Sequence, residues 1–306
     1  MKILFLSPNQ INRYNWGHQL FRNEIGRQHD VVYYGQGFPN FDKNWNVKEI
    51  IKKKYNGGKP DAIFTYGYRY SVGFKGLGEI DDIAKIHIVV DYGGKINRIP
   101  IQNKFFFENK YDMMFGVTSL TYDVLVDQKV CPIVEPMDFS VDTNIYKKIP
   151  GIKKRDAVLA AFTTRADIYP NRLKAIKILK KAGMRVESKR VVQKKLIESI
   201  NGCKVTIASN NFVHSLSMRY TETMACGGFI LADKPADMER VGFVDGKHLV
   251  IYSDLNDLVK KTKYYMKNDK ERENIAIEGM KFVRKNHSCK VRVKEMTDVI
   301  KDKLGI

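Results

Sequence analysis

Ser217-Met-Arg-Tyr-Thr-Glu-Thr-Met-Ala-Cys-Gly-Gly-Phe-Ile-Leu-Ala-Asp233 reads as one mechanical unit: a short helix, a tight turn and a buried strand. Polar Asn210 and Asn211 precede it, and Ser215 or Ser217 has the chemistry to cap the helix start. Arg219, Glu222 and Thr223 ride on the helix, and Ala225, Cys226 and Gly227 are small enough for the backbone to turn sharply. Residues 229–231 then form an apolar strand. A helix N-terminus presents unpaired N–H groups and suits a diphosphate. Arg219 adds a forked donor for phosphate, and Glu222, one turn on, accepts from sugar or ribose hydroxyls. An ordinary amphipathic helix with a surface Arg–Glu pair has the same spacing.

Outward from this stretch the chain alternates strand and helix. Towards the C-terminus come a loop and strand over 242–251, then helices from Asp254 to about 268, over 270–286 and over 290–304. Towards the N-terminus, strands are expected at 204–208, 184–187 and 157–162, with helices at 193–201 and 171–182. The run Pro136-Met-Asp-Phe-Ser-Val-Asp-Thr-Asn-Ile-Tyr146 is unperiodic and punctuated by Pro and Asp, which is linker chemistry. Before it the alternation repeats: strands at 2–7, 30–35, 60–67, 85–91, 111–117 and 129–135. Asp81-Asp82 reads as part of a helix. The pattern predicts an α/β chain of two Rossmann-like domains with parallel sheets facing across a cleft. The domains are 1–140 and 141–290, with a terminal helix over 291–306.

Ligands of open α/β sheets sit outside the carboxyl ends of the strands. The polar loop from Ser7 to His18 follows the first strand and places Arg13, Tyr14, Trp16 and His18 at such an edge. After the third strand, Arg69, Tyr70 and Lys75 lie in a run of aromatics and glycines suited to stacking on bases or sugars. The same tyrosines can also pack inward. Asp91 ends the fourth strand, where it serves either as a general base on an acceptor hydroxyl or as a turn cap before Gly93-Gly94. No phosphate-loop pattern and no Gly-x-Gly-x-x-Gly follows a strand.

The chain has 306 residues, 43% of them hydrophobic, and a net charge of +19 spread over lysines along its length. That field steers it toward polyanions: nucleic acid, anionic lipid or anionic glycan. The four cysteines, at 131, 203, 226 and 289, form no Cys-x-x-Cys, so neither a zinc cage nor a disulfide framework is expected. No apolar run is long enough to span a bilayer, and the first seven residues read as a strand instead of a signal peptide. A cytoplasmic location is the expectation.

The segment Arg219-x-x-Glu222-x-x-Ala225-Cys226-Gly227 before an apolar strand resembles the donor site of GT-B glycosyltransferases, nearest the CgeB-like and family 4-like branches. Tyr169-Pro-Asn-Arg172, the run from Gly246 to Leu258, Lys270-Glu-Arg272, Ile275-Ala276, His287 and the Val141-Asp142…Tyr146 connector match in the same order. The resemblance implies a first domain that binds the acceptor and a second that binds a nucleotide sugar, with the last helix crossing back to the first. It implies that Glu222 holds ribose and that Arg165 and Arg219 contact the diphosphate, with Tyr169, His214 and Ser217 on the same donor wall. One departure stands out: retaining members carry a glutamate where this chain has His214.

The expected activity is metal-independent transfer of a hexose from a nucleotide sugar, UDP-linked, to an acceptor hydroxyl. Arginines and a helix dipole neutralise the leaving nucleotide, no cofactor is required and no metal ligand is assigned. Asp91 and His18 are the candidate catalytic residues. Arg13, Tyr14, Trp16, Arg69, Tyr70 and Lys75 form the acceptor rim. The acceptor is anionic: hydroxymethylated bases in DNA, or an envelope glycan or lipid-linked glycan on an anionic membrane surface. A nucleotide-sugar epimerase and a non-catalytic nucleic-acid-binding protein are the alternatives.

Overall fold

Short, mostly apolar runs separated by helices build parallel sheets covered on both faces. The computed structural model describes all residues except 11–15, 91, 93–98, 165–168, 189–190 and 210–214. It contains two such sheets. The first is built from β1 (Lys2–Leu6), β2 (Asp30–Tyr34), β3 (Ala62–Tyr66), β4 (Ala84–Val89), β5 (Met113–Val117) and β6 (Ile133–Met137). All its pairings are parallel, in the order β2-β1-β3-β4-β5-β6. Between them run α1 (Trp16–Gln28), α2 (Val47–Tyr55), α3 (Tyr68–Ser71), α4 (Ile99–Asn109) and α5 (Ser119–Gln128). Leu4, Leu6, Ile63, Met114 and Phe106 are fully buried in the core of this part.

The second sheet has β7 (Arg155–Leu159), β8 (Val186–Glu187), β9 (Cys203–Ala208), β10 (Ile230–Ala232) and β11 (Val250–Ile251). These are again parallel, in the order β11-β10-β9-β7-β8. Its helices are α6 (Pro170–Lys181), α7 (Gln193–Gly202), α8 (Met218–Ala225), α9 (Leu255–Lys267), α10 (Asp269–Asn286) and the start of α11 (Cys289–Leu304). Right-handed crossovers put α6 on one face with α9, which packs against it, and put α7 and α8 on the other with α10. The chain divides into two compact units, Phe139–Val291 and Met1–Asp138 together with Arg292–Ile306. Within the latter, Thr297 Oγ1 of α11 lies 2.8 Å from His29 Nε2, and Arg292 pairs with Asp138 at 3.3 Å.

Each sheet reverses direction once, so each has one switch point: between β1 and β3, and between β7 and β9. The carboxyl ends flanking those points are where ligands gather in this class of sheet. Three local expectations need correction. The polar loop after β1 does not reach His18: α1 begins at Trp16, because Leu20 and Ile25 must reach the core and Arg22 the buried edge of the sheet. Asp81 and Asp82 are not helical but sit in the turn before β4, where each makes an ion pair with an exposed lysine. β6 starts at Ile133 instead of Lys129, which ends the preceding helix in a left-handed C-cap.

Candidate active site

In the second unit, α8 leads from the carboxyl end of β9 back to β10, so its first turn opens at the switch-point edge. Ser217 occupies the N-cap with extended backbone, but its side chain makes no cap bond to the helix. The capping role expected of it is not fulfilled, and the leading N–H groups lack a side-chain acceptor from that residue. One residue in, Arg219 Nη1 lies 2.9 Å from Glu222 Oε2. The pair is not a surface pair, since Glu222 is 6% exposed. Its other oxygen, Oε1, accepts from the Tyr146 hydroxyl at 2.8 Å. Burial, then the neighbouring carboxylate, push the Tyr146 phenol far above its ordinary value. Arg219 is close to its partner but not aimed at it: Nε and Nη1 are buried with no directed hydrogen bond among the described residues.

A second arginine locks the same edge. Arg172, in the first turn of α6, donates from Nε and Nη2 to the Ser209 carbonyl at 3.0 and 2.9 Å, and from Nη1 to the Thr163 carbonyl at 3.4 Å. It therefore ties the loop after β7 to the end of β9. Tyr169 stacks on its guanidinium, 3.8 Å from the ring centroid. Burial lowers the Arg172 pKa without neutralising it. Across the sheet, Ser209 Oγ lies 3.2 Å from Asp233 Oδ2 at the end of β10. Buried Asp237 accepts from the Leu216 N–H at 3.1 Å, anchoring the approach to α8.

The first unit has a polar cluster at its own switch point. Arg22, 1% exposed, donates to Ser7 Oγ, to the Pro8 carbonyl at 3.1 Å and to Gln19 Oε1 at 2.8 Å. Its guanidinium sits 5.4 Å from the Tyr66 ring. His18 Nδ1 lies 2.5 Å from the Tyr66 hydroxyl. Burial, and next the Arg22 charge, lower the His18 pKa to about 4, so the ring is neutral at pH 7. Trp16 stands half-buried two residues before it. Tyr70 packs its ring against Gly67, Arg69 is exposed on α3, and Lys75 is exposed with its carbonyl held by Val47 N–H. Two other aromatics of that loop turn inward: Tyr68 meets Phe105 edge-on and Phe74 packs on the core.

Arg13, Tyr14, Asp91, Arg165 and His214 lie outside the described residues. Of the donor-wall residues, the structure brings Arg219 and Glu222 into contact and sets Tyr169 and Ser217 at the same sheet edge. Sequence reasoning assigned no site role to Tyr146, Arg172, Arg22 or Gln19. The only signal for Tyr146 was the connector motif, and for Arg172 its place in Tyr169-Pro-Asn-Arg172. A groove of about 870 Å³ lined by Phe107, Tyr111, Val126 and Cys131 opens at the opposite, amino ends of β5 and β6. Among the described residues, no cluster of three or more His, Cys, Asp or Glu is arranged to hold a metal ion, and no helix is long and apolar enough to cross a membrane.

Residues 162–298 match the family model described as "Glycosyl transferase-like". No curated protein sequence matches the chain. Among solved structures, HepE of Anabaena in complex with UDP and glucose superposes with a TM-score of 0.71 at 11% identity, covering 99% of this chain and 100% of that one. Sucrose-phosphate synthase of Thermosynechococcus elongatus gives 0.68 at 11% identity, covering 100% and 99%. An alpha-glucosyltransferase in complex with UDP-glucose and DNA containing an abasic site gives 0.67 at 11% identity, covering 98% of each chain. The match over residues 162–298 makes that part of the chain similar to the glycosyl transferase-like family, on a GT-B fold shared along the whole chain with these structures.

Proposed function

We propose that the chain moves a hexose from a UDP-linked sugar to a hydroxyl of an anionic acceptor, with hydroxymethylated bases in DNA as the leading acceptor. The observation that carries the donor half is Arg219. Its Nε and Nη1 are buried without a directed hydrogen bond among the described residues, at a cost of about 1–3 kcal/mol per unmet group, and they stand beside a helix start that lacks a bond from its N-cap side chain, at a switch point. A diphosphate relieves both. Glu222 Oε1 accepts from Tyr146 while Oε2 only faces Arg219, and the carboxylate retains lone pairs for a ribose hydroxyl. Arg165 and His214 complete this wall on the family resemblance. Arginine and the α8 dipole replace a divalent cation as the counter-charge to the departing UDP. The similar structures solved with UDP or UDP-glucose support this donor.

In the transfer, the acceptor oxygen bonds to the anomeric carbon as the bond from that carbon to the diphosphate oxygen breaks, and UDP leaves with the electron pair. The acceptor proton goes to Asp91, and His18, neutral at pH 7, is the second candidate catalytic group. Arg13, Tyr14, Trp16, Arg69, Tyr70 and Lys75 receive the acceptor. The test is incubation with UDP-[14C]glucose and duplex DNA with or without 5-hydroxymethylcytosine. Label passing only to the modified duplex is the expected result. Label on a lipid or glycan fraction instead overturns the DNA acceptor, and an absence of transfer from any of a panel of UDP-sugars overturns the activity.

A further inference from the structure

The charge of this protein is not spread evenly. The first unit holds 22 Lys and Arg against 18 Asp and Glu; the second holds 31 against 16. Within the second unit, part of the excess is arranged in a regular pattern on two helices. α10, on the α8 face, intersperses acids among its basic residues and pairs two of them: Arg272 with Asp269 at 2.5 Å and Lys281 with Glu278 at 2.7 Å. α6 and α9, which cover the opposite face, do not. α6 contains no acidic residue. The acid within α9, Asp257, is taken by Lys261 at 2.8 Å.

The two helices carry two rows of the same spacing. Lys174, Lys177 and Lys181 stand on α6, and Lys260, Lys263 and Lys267 on α9, each at i, i+3 and i+7. That spacing puts the three side chains of each helix within one narrow stripe, about 10 Å long. All six are exposed, and none makes an ion pair among the described residues. Both helices run back from the carboxyl edge of the same parallel sheet and pack on each other, with axes about 8–10 Å apart, so both stripes belong to one face of the unit. Held together without counter-charges, six ammonium groups repel one another, and a polyanion with regularly spaced charges removes that repulsion.

We propose that the α6–α9 face of the second unit is a docking surface for the phosphate backbone of duplex DNA. The face lacks the apolar side chains that would enter a bilayer: Ile178 and Met266 turn toward the core, and Tyr264 is the large hydrophobic exposed there. Contact through ammonium groups alone is sequence-independent. It holds the duplex near the enzyme and says nothing of which base is modified. The inference stands apart from the transfer reaction and from the acceptor rim of the first unit.

The experiment measures binding of unmodified 20-base-pair duplex DNA by fluorescence anisotropy between 50 and 200 mM NaCl, on three full-length proteins. These are the wild type, K174Q/K177Q/K260Q/K263Q, and a control with the same loss of charge from the first unit, K43Q/K52Q/K104Q/K301Q. The α6–α9 variant should bind at least about tenfold more weakly at 50 mM salt, with a salt slope shallower by about four. The control should lose less than about threefold in the same assay. Equal losses in the two variants, an unchanged α6–α9 variant, or a wild type that ignores DNA but binds phosphatidylserine vesicles would each overturn the proposal. The thermal shift given by UDP-glucose is read on the same samples. It should be equal in all three, which separates loss of docking from misfolding, and its absence from the wild type bears on the donor reading alone.

Discussion

At the scale of single residues, the proposed donor wall rests on a largely buried chain of three side chains: Tyr146 donates to Glu222, and Glu222 faces Arg219. Removing the middle member strands a buried cation and a buried phenol. Glu222→Ala should therefore cost about 3–5 kcal/mol in urea unfolding, whereas Tyr146→Phe, which removes only one hydrogen bond, should cost about 1–2 kcal/mol. A Glu222→Ala protein as stable as the wild type would mean that the pair carries no weight. Acid should find a different weak point. His87 is buried with no hydrogen-bond partner at Nε2 among the described residues, and burial lowers its pKa to about 3. The folded protein refuses a proton that the unfolded chain accepts near pH 6.5. The contribution is thus complete above pH 6.5 and falls as pH drops toward 3, by about 1.4 kcal/mol per unit. His18, lowered to about 4, acts with the same sign. Urea midpoints measured from pH 7 to pH 4.5 should fall steadily, and His87→Gln should flatten the slope whatever its own offset. Arg219 and Glu222 were legible because i,i+3 spacing on a helix is local. Tyr146 and Arg22 were not, since their partners become neighbours only when distant or differently facing segments pack.

Among the elements, the turn after α8 shows how far local sequence reaches. Gly227 sits at φ +67°, its N–H donating to the Met224 carbonyl at 2.8 Å while that of Gly228 reaches the Thr223 carbonyl at 2.9 Å. That double bond is the Schellman closure, and it sends the chain directly into β10. Gly227→Ala forces a side chain into the left-handed region and should lower stability by about 1–2 kcal/mol. Gly228→Ala should cost more, because its Cβ would lie 2.7 Å from Thr223 Cγ2 and 2.8 Å from Ile200 Cγ2. Thermal melts of the two variants check the order. The start of α9 was equally legible: Asp254 caps it, accepting from Asn256 and Asp257 N–H at 2.7 and 2.9 Å. The start of α1 was not. Trp16-Gly-His18 has weak helix propensity, and the helix there is held by what Arg22 and Gln19 bury. Ser217 shows the converse, a residue of the right type at the right place that makes no cap bond.

For the whole molecule, two parallel sheets followed from apolar runs alternating with helices, a pattern that survives shifts of a few residues in any one strand. The partition of charge was present in the same letters but could not be read, because the α6–α9 face exists only once two helices separated by more than seventy residues share one side of a sheet. The six lysines there predict that DNA affinity falls steeply with salt and that the fall belongs to the second unit. The central claim concerns the other end of that unit: that the carboxyl edge between β7 and β9 grips the nucleotide of an activated sugar through Arg219. Isothermal titration of UDP-glucose into the wild type and Arg219→Lys tests it most directly. Lysine keeps the charge but loses the forked donors, so affinity should fall at least about tenfold with little change in melting temperature. Equal affinity in the two proteins would contradict the account.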